Sequence, residues 1–125
     1  MDEPVLRVET FAYGKGIPWD AREDLDYAHV VDCRGLPNPW KQRGLRELEG
    51  TDPRMIAYFM AEAPNKVEEL MQQANKAVAD GKRRILFGCV HGRHRSVAMA
   101  AEFEKRLRVA TRTKEGGALY HLPLA

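Results

Sequence analysis

The chain has 125 residues, 44% of them hydrophobic and 30% charged, which suits one folded domain and excludes disordered and fibrous classes. No stretch approaches the roughly 20 apolar residues of a membrane span, and Met1-Asp2-Glu3-Pro4 lacks a signal-peptide layout, so a cytoplasmic chain without membrane contact is expected. The net charge of +2 conceals an asymmetry, because residues 1–81 hold 10 Lys/Arg against 15 Asp/Glu (net −5) and residues 82–125 hold 10 against 3 (net +7).

The run Val5 to Tyr13 alternates in part, is rich in β-branched and aromatic residues, and reads as a strand ending at Gly14. Gly14-Lys15-Gly16-Ile17-Pro18 is then a loop, in which two glycines let the backbone approach a ligand and Lys15 offers a point charge; a lysine on a solvated turn fits the spacing equally well. Tyr27 to Arg34 reads as a short buried strand turning polar at its C-terminal end, which places Asp32 and Arg34 where open α/β sheets bind ligands. A structural pairing of those two residues with each other is the equal alternative. The prolines of Gly35-Leu36-Pro37-Asn38-Pro39-Trp40 predict a stiff, extended loop.

Asp52-Pro53 reads as an N-cap and first-turn proline opening a helix through about Ala61, interrupted at Pro64. From Asn65 the residues Val67, Leu70, Met71, Ala74 and Val78 recur at spacings of three and four and predict a second helix, which Gly81 stops. Arg84 to Cys89 is a short apolar run bounded by charge and reads as a central strand. A helix follows near Arg95, with Val97, Ala100, Ala101, Phe103 and Leu107 on one face, and residues 109–125 read as an edge strand or a flexible tail. The alternation of strands and helices predicts a single α/β domain over 1–125, a sandwich with a largely parallel sheet.

Between that central strand and the helix lie only Val90-His91-Gly92-Arg93-His94, so the backbone must wrap tightly with amide hydrogens turned inward. Such a nest at the positive end of a helix captures an oxyanion; Arg95 adds a fork for two phosphate oxygens and Ser96 a hydroxyl. His91 and His94 are expected to face the anion. Cys89 lies in the same field, where a thiol becomes a nucleophile. Two cysteines, Cys33 and Cys89, are too few for a disulfide framework, and no Cys or His pair has zinc-finger spacing, so neither a metal nor a cofactor is expected.

The arrangement Cys89-x5-Arg95-Ser96, with Gly92 three residues after the cysteine, resembles the signature of cysteine-dependent phosphatases. That resemblance implies Cys89 as nucleophile, Arg95 as phosphate clamp and an aspartate as acid, with Asp20, Asp24, Asp26 and Asp32 as candidates. Those phosphatases usually carry a histidine before the cysteine, where this chain has Gly88.

A wider resemblance rests on four segments, Thr10 to Pro18, Val31 to Pro39, Gly50-Thr51-Asp52 and Gly88 to Val97, which together are similar to the C-terminal domain of the RapZ RNase adapter family. It implies a stand-alone α/β binding module for an amino-sugar phosphate such as glucosamine 6-phosphate, with RNA and a second copy of the chain as further partners. Asp32, Arg34, Asn38, Cys89, Gly92, Arg93, His94, Arg95 and Ser96 are the implied pocket residues. This chain has Gly14-Lys15-Gly16 where the family has Lys-His-Gly, and a nearly uncharged end from Gly116 to Ala125 where the family has a basic tail. The expected function is recognition of a small phosphorylated metabolite, a sugar phosphate or nucleotide; a phosphatase is the alternative and an RNA-associated protein the third reading.

Overall fold

The computed structural model describes residues 6–18 and 27–113. It is an α/β fold with strands β1 (Arg7–Ala12), β2 (Ala28–Asp32) and β3 (Arg84–Cys89), and helices α1 (Pro53–Glu62), α2 (Pro64–Ala79) and α3 (Arg95–Thr113). The strands form one parallel sheet in the order β1-β3-β2, so β3 is central as its unbroken apolar run requires. Every residue of β3 is buried, while β1 and β2 expose residues at their outer edges.

Residues of all three helices, including Phe59, Leu70, Met71, Met99 and Phe103, pack with Val31, Ile85 and Phe87 in the main core. The opposite face of the sheet carries a smaller cluster of Phe11, Ala28 and Leu86. Arg84, buried on β3, is held by Glu9 of β1, its Nη2 donating to Oε2 at 2.8 Å. The register aligns Ala12 with Cys89 and Asp32 with Gly88, so all three strands end at one edge and deliver their following loops to the same place. Open α/β sheets bind ligands beyond that edge.

Several boundaries differ from the sequence expectation for physical reasons. Pro64 begins α2 rather than lying outside it, because the first helical position needs no amide, and Ala63 alone separates the two helices. The extended loop also tightens at its end into a 3-10 turn, Pro39–Lys41, with Pro39 again at a position needing no donor and Asn38 Oδ1 accepting from Trp40 N at 3.1 Å. The apolar face of α3 is set by Met99, Ala100, Phe103 and Leu107, while Ala101 is exposed. That helix continues through Thr113, past Val109 where a tail was expected, because no glycine or proline stops it before Gly116. The remaining tail, Val5, and the acid candidates Asp20, Asp24 and Asp26 lie outside the described residues.

Candidate functional site

Strand β3 ends on Cys89 and α3 begins at Arg95, and the chain turns between them through Gly92 at φ 68°. A Cβ at Gly92 would lie 3.1 Å from both Cβ and N of Ala12, so glycine is required twice over, for the left-handed backbone and for the close approach to β1. The Gly14 amide donates to the Val90 carbonyl at 3.1 Å and fixes the loop to the end of β1.

Inside the turn, the Ser96 amide donates to Cys89 Sγ at 3.4 Å and the thiol lies 3.2 Å from Ser96 Oγ, with the Gly92 amide also on the sulfur. Burial works against ionisation of Cys89. The Ser96 hydroxyl, the Ser96 and Gly92 amides and the Arg95 charge outweigh it, and the thiol titrates below its ordinary value. The inward amides and the helix end thus favour a negative charge at this point.

Arg95 is only 9% exposed, and its Nη1 donates to the carbonyls of Arg34 at 3.0 Å and Leu36 at 3.4 Å. Those bonds hold the guanidinium against the loop after β2, at the wall of a cavity of about 300 Å³. Asn38, Cys89, His91, Arg93, His94 and Arg95 line that cavity, and Pro39 and Trp40 complete it. His94 is buried and its Nε2 lies 3.0 Å from the Leu48 carbonyl, which fixes the ring while leaving it on the cavity wall. Gly50 makes room for the same loop, since a Cβ there would sit 2.7 Å from the Arg93 carbonyl and 2.5 Å from Val97 Cβ.

The structure does not gather every sequence-predicted residue at the cavity. Lys15 is exposed in a 3-10 turn at the end of β1, outside the cavity lining. Asp32 and Arg34 pair with each other, Arg34 Nε donating to Oδ1 at 3.0 Å and Nη2 to Oδ2 at 2.8 Å. The Arg34 guanidinium also lies 3.7 Å above the Tyr13 ring, and the residue reaches the site through its carbonyl on Arg95. The Arg34 side chain, with its amide, holds the Asp32 carboxyl below the ordinary carboxylate value, which makes Asp32 a poor proton donor. Gly92 and Ser96 shape the floor rather than the lining. Among the described residues no group of three or more His, Cys, Asp or Glu is placed to hold a metal ion, and no helix is long and apolar enough to cross a membrane.

The RapZ C-terminal domain profile matches residues 4–116. The chain belongs to the RapZ C-terminal domain family. Among curated relatives it is similar to a nucleotide-binding protein of Frankia alni, 40% identical over 109 residues, covering 80% of this chain and 35% of that protein. A nucleotide-binding protein of Ruegeria pomeroyi is 37% identical, with 82% of this chain and 37% of the relative covered, and one of Acidothermus cellulolyticus is 37% identical, with 86% and 36% covered. The chain therefore spans little more than a third of the length of the curated relatives it matches.

Within this RapZ-type domain the residues that sequence reasoning passed over are Pro39, Trp40 and Leu48. Trp40 is 52% exposed at the cavity, with the Arg93 guanidinium 5.9 Å from its ring centre. Its signal was legible as an aromatic immediately after a rigid Pro-Asn-Pro loop, a position where tertiary contact rather than burial holds it. The Leu48 carbonyl acts through the backbone, so its side-chain identity carried no trace of the role.

Proposed function

We propose that this RapZ-type domain recognises a small phosphorylated molecule, a sugar phosphate such as glucosamine 6-phosphate or a nucleotide, and acts as a binding module or sensor. The observation that carries the reading is the buried Arg95 guanidinium held beside amides that converge on Cys89, at the wall of a cavity of about 300 Å³. A phosphate seated over Cys89 would accept from the remaining loop amides and from Arg95, with His91 and Arg93 adding polar reach. The rest of the ligand would lie along Pro39 and Trp40. The cavity volume suits a metabolite and the mixed apolar and polar lining suits one with a ring. A sugar phosphate is what the resemblance to the RapZ family implies, and the names of the curated relatives support a nucleotide.

A panel of sugar phosphates and nucleotides tests this by melting. A true ligand at a hundredfold excess over its dissociation constant stabilises by about 2.7 kcal/mol, and the Arg95→Ala protein gives no shift. A wild-type protein whose melting temperature none of these compounds moves would refute the proposal. An adapter role, RNA contact and self-association rest on the family resemblance alone and rank behind the metabolite reading.

The Ser96 amide and hydroxyl on Cys89 Sγ, with Arg95 beside them, favour a second reading, a cysteine-dependent phosphatase. The thiolate would attack phosphorus, Arg95 would hold the equatorial oxygens, and the leaving oxygen would take a proton from an acid. Asp32, paired with Arg34, is badly prepared for that last role. Phosphate release from an aryl phosphate by the wild type and none by Cys89→Ser would establish turnover; equal release by the two proteins would remove it.

A further inference from the structure

Cys33 has no part in the phosphate site, yet it is placed beside it by the sheet. The β2–β3 register ends with Asp32 opposite Gly88, and the Cys33 amide extends the ladder by donating to the Gly88 carbonyl at 2.8 Å. The next pair in that register is Cys33 and Cys89. Both side chains are buried on the helix-covered face, at 0% and 2% exposure, in one core cluster. Neighbouring strands lie about 4.8 Å apart, inside the range of about 4.4–6.8 Å that Cα atoms of a disulfide span.

We propose that Cys89 and Cys33 form a peroxide-driven redox pair, in which an intramolecular disulfide withdraws Cys89 from the anion cradle and closes the site reversibly.

The two sulfurs differ as an attacking and a resolving thiol should. Cys89 borders the cavity, which a peroxide can enter, and its neighbours favour the thiolate. Cys33 is walled in. Burial first, and then the negative charge on Cys89, push its thiol up to about 12, so it stays protonated and unreactive while Cys89 is ionised. The Cys89 thiolate attacks hydrogen peroxide; the O–O bond breaks, an S–O bond forms, and the departing oxygen leaves as water after taking a proton. Sulfur is oxidised to a sulfenic acid and the peroxide is reduced. With that charge removed, Cys33 sulfur attacks Cys89 sulfur. The S–S bond forms, the S–O bond breaks, and the hydroxide leaves with the Cys33 proton as a second water. Cys89 is the last residue of β3 and Cys33 lies one past β2, so the ends of the strands rather than their middles absorb the closer approach of the Cβ atoms.

The sulfur chemistry is independent of what the cavity binds, so its test can fail or succeed separately from the phosphate reading. The full chain is treated with hydrogen peroxide, then digested without reductant and analysed by mass spectrometry. The expected product joins the Cys33 and Cys89 peptides within one molecule, both titratable thiols disappear, and a dithiol restores them. In Cys33→Ala, and independently in Cys33→Val, the same treatment carries Cys89 on to the sulfinic acid, which dithiol does not reverse. A wild type that accumulates sulfinic acid on Cys89 with Cys33 still free, or that keeps both thiols, overturns the proposal.

Discussion

At the scale of single residues, Cys89 and Cys33 pull the pH dependence of stability in opposite directions. Cys89 has a folded pKa below its unfolded one, so its contribution is full above the ordinary thiol value and is lost as pH falls through the lowered folded value. Cys33 is raised to about 12, so its contribution is full below the ordinary thiol value and is lost as pH rises from there toward 12. The pair should therefore give a stability maximum near the ordinary thiol value. Thiolate absorbance followed against pH is expected to show one ionisation below that value, and Ser96→Ala should move it upward by removing the hydroxyl and loosening the turn. An unmoved midpoint in that variant would mean that Ser96 does not tune the sulfur. Arg95 was singled out in the sequence because it stands where a helix begins after a glycine loop, a position that suits an anion clamp. Its attachment to the carbonyls of Arg34 and Leu36 was not legible, since those acceptors lie 59 and 61 residues away and carry no side-chain signature. Arg95→Ala leaves both carbonyls without this donor and should cost about 1–3 kcal/mol in denaturant unfolding besides abolishing phosphate binding.

Among the elements, β3 and the start of α3 are positioned by what is missing from two glycines. A Cβ on Gly88 would fall 2.3 Å from the Phe11 ring, so β1 lies against β3 only because that side chain is absent. At the position where those phosphatases usually carry a histidine, a side chain and Phe11 would compete for one space. Gly88→Ala should destabilise by about 1–3 kcal/mol, and Phe11→Leu should recover part of that loss in a double-mutant cycle. Strict additivity of the two would refute the steric coupling. Gly50→Ala presses on the Arg93 carbonyl and Val97, and it should weaken phosphate binding more than an equally destabilising change in the α2 core, read by ligand-induced melting shifts. The strand–loop–helix order was legible because each of its parts is local in sequence: an apolar run, a glycine turn, an amphipathic helix. Ala100, Phe103 and Leu107 of the expected α3 face are buried, while Met99 stands in the core where Ala101 was expected, because packing against Phe87 and its neighbours rather than periodicity decides between them. The 3-10 turn at Pro39–Lys41 was hidden because proline forbids an interior helix position and permits a first one.

At the scale of the whole fold, part of the charge asymmetry along the chain is folded back on itself among the described residues. Arg106 of α3 donates to both carboxylate oxygens of Glu68 on α2 at 2.8 Å and to Glu102 at 2.7 Å, and Arg84 holds Glu9 of β1. Arg108 pairs with Glu104, and Arg95 is engaged by two carbonyls. Within the basic C-terminal third that suggested RNA in the sequence, Arg84 and Arg106 are thus answered by acids of the first two thirds, Arg108 by its own helix and Arg95 by carbonyls, while Arg93 lies beside Trp40 at the cavity. The two partner classes respond differently to salt. An RNA strand bound through six to ten of its phosphates would lose roughly a few hundredfold or more in affinity between 50 and 200 mM salt, whereas one phosphate held by a buried guanidinium and main-chain amides is only weakly screened. The expected result is a ligand-induced melting shift for a sugar phosphate or nucleotide that persists across that salt range, alongside oligonucleotide binding that is weak at its lower end. A steeply salt-dependent oligonucleotide complex, with no shift from any small phosphate ester, would transfer the function from the cavity to the surface.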